Sequence, residues 1–154
     1  MATIQGQDYI IWSKNFEIGI PTIDTQHQKL VSLCNTFYQA LLTARSTGNN
    51  LTWESSLVKA LHDCSAYVQT HLHEEEMLMK AAGYSGYESH KKLHDTFILK
   101  ILEIDKNFEH ISLADAITFV TFLYDWIIRH IAHEDKLYVK SVAAYFIEIY
   151  KLNK

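Results

Sequence analysis

The chain has 154 residues, of which 48% are hydrophobic and 21% charged, with a formal net charge of -4. That length and composition describe one soluble globular domain with a sizeable core, and exclude a disordered or fibrous chain. The acidic balance excludes the basic face that a phosphate backbone requires, so no nucleic-acid partner is expected.

Residues 1–21, with Gly6, Gly19 and Pro21, read as an N-terminal arm. No basic start followed by an apolar run is present there, so no signal peptide is expected. The first helix is expected to begin near Thr22 to Asp24. It carries Leu30, Leu33, Cys34, Phe37 and Leu41 at helical spacing and ends before the polar run Ser46 to Asn50. The second starts near Thr52 as N-cap, with a stripe of Leu57, Leu61, Cys64, Val68, Leu78 and Ala82, and stops at Gly83. Ser85 with Glu88 reads as a capping box for the third, whose stripe is Leu93, Phe97, Ile101, Ile104 and Phe108. Ser112 with Asp115 opens the fourth, with Phe119, Phe122, Leu123, Trp126 and Ile127 on its apolar side. Its most apolar stretch, Ile117 to Ile128, is interrupted by Asp125 and followed by Arg129, too short for a membrane span. From 136 to 154 the pattern stays helical, either prolonging the fourth helix or forming a fifth.

Amphipathic helices joined by short loops pack antiparallel, so the expected fold is an all-α, up-down-up-down four-helix bundle with a C-terminal helical extension. The two cysteines, Cys34 and Cys64, match no zinc or CxxC spacing. Both lie on apolar stripes, as buried reduced thiols do, which fits a cytoplasmic location.

The histidines carry the functional signal. His27, His71, His90, His94 and His130 fall on the apolar faces of the four helices, and Glu75 follows His71 by one turn. A single His on such a face is ordinarily a hydrogen-bonded core residue. Five of them with carboxylates and no basic partner are poorly explained that way, because buried polar groups are normally paired or bound to metal.

Spacing narrows the metal. His73-Glu74 and His133-Glu134 are not completed to H-E-x-x-H, and no Glu-x-x-His pair of the ferritin type occurs. The ligands are too many for one tetrahedral zinc; imidazole mixed with carboxylate suits two irons. Spacing leaves the carboxylates partly open. Glu74 and Glu76 flank Glu75, and Glu134 stacks under His130 better than Asp135, which lies about 140° around an ideal helix. His133 is the nearest decoy, while His62, His73 and His110 lie off the inward stripes.

The segment Ile20-Pro21-Thr22-Ile23-Asp24-Thr25-Gln26-His27 is followed in order by His71-x-x-x-Glu75, His90-x-x-x-His94 and His130-x-x-x-x-Asp135. Together they resemble the hemerythrin motif, and Trp12, Gly19, Tyr84 and Trp126 resemble its bacterial branch, bacteriohemerythrin. The resemblance covers about Trp12 to Tyr138. It implies a non-haem di-iron centre, with His90, His94 and His130 on one iron and His27 and His71 on the other. Glu75 and Asp135 would bridge them together with an oxo or hydroxo ion. It implies further that dioxygen binds reversibly at the five-coordinate iron, held as a hydroperoxide, in an oxygen carrier or store. Trp126, Ile127, Ile131 and Tyr138 match the apolar oxygen pocket. Leu72 stands where Phe is common, and Ala132 where a larger apolar residue is common, so a roomier pocket is expected.

Two other functions compete with a carrier: an oxygen or redox sensor, and a di-iron oxidase or peroxidase. The last needs an ionisable group beside the open position, and the matched pocket positions are apolar. An oxygen-consuming enzyme is the expected, unidentified partner.

Overall fold

The computed structural model describes residues 7–154, apart from the side chain of Thr52. Helix α1, Pro21–Thr47, opens with Pro at its first position, where a missing N–H costs nothing. The Asp24 carboxylate accepts from the Ile18 and Gly19 amides, 2.7 and 3.1 Å away, tying the arm to the first turn. Further along the arm, Ile10 exchanges two 2.8 Å hydrogen bonds with the Asn35 side chain. Ile10, Phe16 and Ile18 are buried by this anchoring. Gly48, at φ +69°, ends α1 in the left-handed conformation that glycine adopts most readily.

The second long helix is α2, Asn50–Tyr67, a π segment, Val68–Leu72, and α3, His73–Ala81, without a break in helical backbone. Its cap is Asn49, whose side chain accepts from the Leu51 amide at 3.1 Å. The helix therefore begins ahead of the expected Thr52, whose backbone is already helical and whose side chain lies outside the described residues. Gly83, at φ +62°, provides the expected stop.

Helix α4, Tyr87–Lys106, starts from Gly86, and the expected Ser85–Glu88 capping box is not made. The Tyr84 ring lies so close over Gly86 that a Cβ there would meet it at 2.5 Å, and this tight turn places Ser85 outside the capping position. Leu93, assigned to the buried stripe, is 38% exposed, while Phe97, Ile101 and Ile104 are buried as expected.

The fourth long helix is α5, Leu113–Trp126, a π segment, Ile127–Glu134, and α6, Asp135–Leu152. The Ser112–Asp115 capping box is present: Asp115 N–H donates to the Ser112 hydroxyl at 3.1 Å, and Ser112 N–H donates to the Asp115 carboxylate at 2.9 Å. Replacing an N-cap Ser by Ala typically costs about 1 kcal/mol. Ser112→Ala should thus lower the melting temperature by ~2–4 °C in a chain of this size, read by thermal circular dichroism.

The architecture is a four-helix bundle in which α1 packs on α2 and α5, α4 on α2 and α3, and α6 on α3. The tail prolongs the fourth helix. Tyr138 and Val142 are buried there, whereas Phe146, Ile147 and Tyr150 are exposed. Among the described residues no helix is long and apolar enough to cross a membrane.

Candidate metal centre

His27, His71, Glu75, His90, His94, His130 and Asp135 are all buried, and these seven are the buried polar and charged residues found among those described. Helix α1 supplies His27, the first π segment His71, α3 Glu75, α4 both His90 and His94, the second π segment His130, and α6 Asp135. Their donor atoms form two groups: Glu75, His90, His94, His130 and Asp135, and His27, His71, Glu75 and Asp135. Both carboxylates belong to both groups.

The imidazole Nε2 atoms face the carboxylates. Asp135 divides its two oxygens: Oδ1 lies 3.0 Å from His130 and 3.2 Å from His90, and Oδ2 lies 3.1 Å from His27. Glu75 presents one oxygen to both sides, its Oε2 being 3.2 Å from His71 and 3.4 Å from His94. The Tyr138 hydroxyl donates to the other, Oε1, at 2.5 Å. His27 and His71 also bring their Nε2 atoms to 3.2 Å from each other.

The π segment explains how Asp135 reaches His130. In an α-helix residues five apart diverge by about 140°, whereas a π turn closes i to i+5 and stacks them. Asp135 is therefore buried beneath His130, and Glu134 is displaced to a half-buried position. His133 is exposed, as are His62, His73 and His110.

A second layer fixes the rings. The His71 Nδ1–H donates to Gln26 Oε1 at 2.7 Å, and the His94 Nδ1–H donates to Glu76 Oε1 at 3.0 Å. Such a bond leaves Nε2 as the free lone pair that a metal needs. Glu74, the other flanking acid, accepts from the Gln26 amide at 2.7 Å. The Trp126 indole stacks on His130 at 3.9 Å, and the Tyr67 ring stacks on His71 at 4.5 Å.

Burial and the neighbouring Asp135 charge push Glu75 upward, but His71 and His94 outweigh them and hold its carboxyl below the usual range. Burial likewise opposes the Asp135 charge, yet His130, His27 and His90 hold that carboxyl well below its usual range. Burial lowers His130. Burial also opposes a charge on His94, but Glu75 and Glu76 overcome it and raise that ring. The centre thus sets anionic oxygens against imidazole Nε2 atoms in a dry interior.

The fit to metal rests on buried atoms that meet mainly one another. Glu75 Oε2, both Asp135 oxygens, His94 Nε2 and both nitrogens of His90 and His130 are buried without a hydrogen-bond partner. Unpaired buried groups are rare because each one costs stability. So many in one place, with their lone pairs converging, form a donor set for cations.

A family model described as the hemerythrin HHE cation binding domain matches residues 18–142. The chain belongs to the hemerythrin family. It is 27% identical over 144 residues to a bacteriohemerythrin of Pseudomonas paraeruginosa, covering 93% of this chain and 88% of that protein. It is 29% identical to a hemerythrin from Sipunculus nudus over 136 residues, or 85% of this chain and 92% of that one. A crystal structure of a hemerythrin variant superposes with a TM-score of 0.69 at 25% identity, covering 88% of this chain and 98% of its own.

Of the residues expected to line an oxygen pocket, Leu72, Trp126, Ile127 and Ile131 are buried, and Ala132 is half-buried against the core. Tyr138 acts on Glu75 through its hydroxyl. Sequence reasoning gave no orienting role to Gln26 or Glu76, which stand beside His27 and Glu75 in the chain, and passed over Tyr67, one helical turn before His71. The last matters most, because it places an ionisable group at a centre whose surroundings read as apolar.

Proposed function

We propose that this hemerythrin-family chain binds dioxygen reversibly at a pair of iron ions, as a carrier or store in the cytoplasm. The observation that carries the reading is the sharing of Glu75 and Asp135 between a three-His and a two-His group. The three-His set, His90, His94 and His130, would complete one ion's coordination. The two-His set, His27 and His71, would leave the other a position for ligand. Two irons held there would supply the electrons that reversible dioxygen binding borrows and returns, with an oxo or hydroxo ion as the further bridge.

The chain's own part is to hold and to exclude. Gln26 and Glu76 keep His71 and His94 turned inward, Tyr138 restrains Glu75, and Leu72, Ile127 and Ile131 keep bulk water from the ligand side. The cytoplasmic assignment is supported by Cys34 and Cys64, which are free and buried; burial pushes the Cys34 thiol up to about 12.

The test is an anaerobic iron count with optical spectra before and after adding oxygen. Two irons per chain are expected, with a visible absorption that appears with oxygen and fades on its removal. A single zinc, or a spectrum indifferent to oxygen, would overturn the reading. A second reading, an oxygen sensor, is favoured by one feature: α6 runs on from Asp135 to Leu152 and carries exposed Phe146, Ile147 and Tyr150.

A further inference from the structure

Tyr67 is 7% exposed, and its hydroxyl oxygen is buried without a hydrogen-bond partner. Its ring is fixed from two sides, stacked on His71 at 4.5 Å and edge-on to Phe97 at 5.7 Å. The Trp126 indole is the hydroxyl's polar neighbour, and its buried Nε1 has no other partner. Trp126 is held by stacking on His130 at 3.9 Å and against Phe97 at 4.5 Å. Two aromatic donors, one leaning on a ligand of each group, thus stand next to the centre.

An indole N–H can only donate; a phenol can accept that donation and pass its own hydrogen onward. What the pair lacks is a terminal acceptor. Phe at 67 would fill the same space without leaving a buried hydroxyl unsatisfied, so the hydroxyl is a liability to the fold unless something accepts from it.

We propose that the Tyr67 hydroxyl, backed by the Trp126 indole N–H, is a ligand-binding group of this centre. It donates a hydrogen bond to a small ligand carrying negative charge on the His71 side. The proposal rests on the di-iron reading. It assigns a polar contact, and with it a preference for oxygen-derived or anionic ligands over neutral apolar ones, to a pocket otherwise lined by aliphatic side chains.

The experiment compares Tyr67→Phe with the parent in two states, using azide as the probe. Metal-free protein is melted first; the variant is expected to melt at the parent's temperature or above, since it loses an unsatisfied group. Iron is then counted in the oxidised, loaded proteins, and azide is titrated optically. Hydrogen bonds to charged acceptors are the stronger kind, so a dissociation constant raised about tenfold is expected at unchanged iron content. Trp126→Phe should shift azide affinity in the same direction, by less. Azide bound as tightly by fully loaded Tyr67→Phe as by the parent overturns the proposal. So does a metal-free variant that melts clearly lower, because the hydroxyl then serves the fold. A parent that takes up no iron would instead overturn the di-iron reading itself.

Discussion

His130→Ala and Asp135→Ala should each lose stoichiometric iron, while His73→Ala, His133→Ala and Glu134→Ala keep it. Asp135 is the more telling of the two. Its separate oxygens lie within 3.2 Å of His90 and His130 on one side and His27 on the other, so its removal takes an anionic oxygen from both groups. His130 supplies one of three imidazoles in its group, and Ala would leave an ion there one donor short. Substitutions one layer further out typically weaken a metal site by about 10- to 100-fold, so loss of a direct ligand should exceed that. His73 and His133 are exposed and Glu134 is half-buried, out of line with His130. The measurement is iron per chain after anaerobic loading. Full iron in Asp135→Ala with loss in Glu134→Ala would show that the wrong carboxylate has been given the bridging role.

Stripping the metal should lower the melting temperature by ~15–30 °C. An ion that binds only the folded chain adds about 4 kcal/mol at a free concentration a thousandfold above its dissociation constant. Two such ions add about 8 kcal/mol, and each kcal/mol is worth ~2–4 °C in a domain of this size. The physical source is local. Without an ion, the buried Asp135 oxygens, Glu75 Oε2 and the Nε2 atoms of the five histidines have only one another within reach. Calorimetry of loaded and chelator-stripped protein checks this. Equal melting temperatures would mean that the cluster is satisfied by the chain alone.

The bundle was legible because the patterns that define it are redundant. Phe97, Ile101 and Ile104 repeat the same face, and a single misplaced residue such as Leu93 does not change which way α4 turns. Helix starts were less legible because a cap is a local competition. Ser112–Asp115 forms its reciprocal pair, but Asn49 begins its helix before Thr52 is reached, and the Tyr84 ring over Gly86 sets the start of α4 instead of Ser85. At the centre, all five imidazoles and Glu75 lie at spacings that an ordinary helix brings inward. The position of Asp135 does not follow from such spacing, and only the hemerythrin resemblance chose it. Tyr67 and the orienting role of Gln26 escaped because no stripe marks a residue whose importance comes from touching a buried imidazole.

The wide turn between Trp126 and Asp135 also sets the register of everything after it. Closed to ordinary α spacing with His130 held in place, the helix would bring each later position forward by one residue. Glu134 would stand where Asp135 stands, Leu137 would replace Tyr138 in the interior, and Ser141 would replace Val142. Leu137, now 60% exposed, is the sole apolar member of that alternative set. One extra residue in one turn thus decides which face of an 18-residue α6 meets the core and which apolar side chains it shows to water.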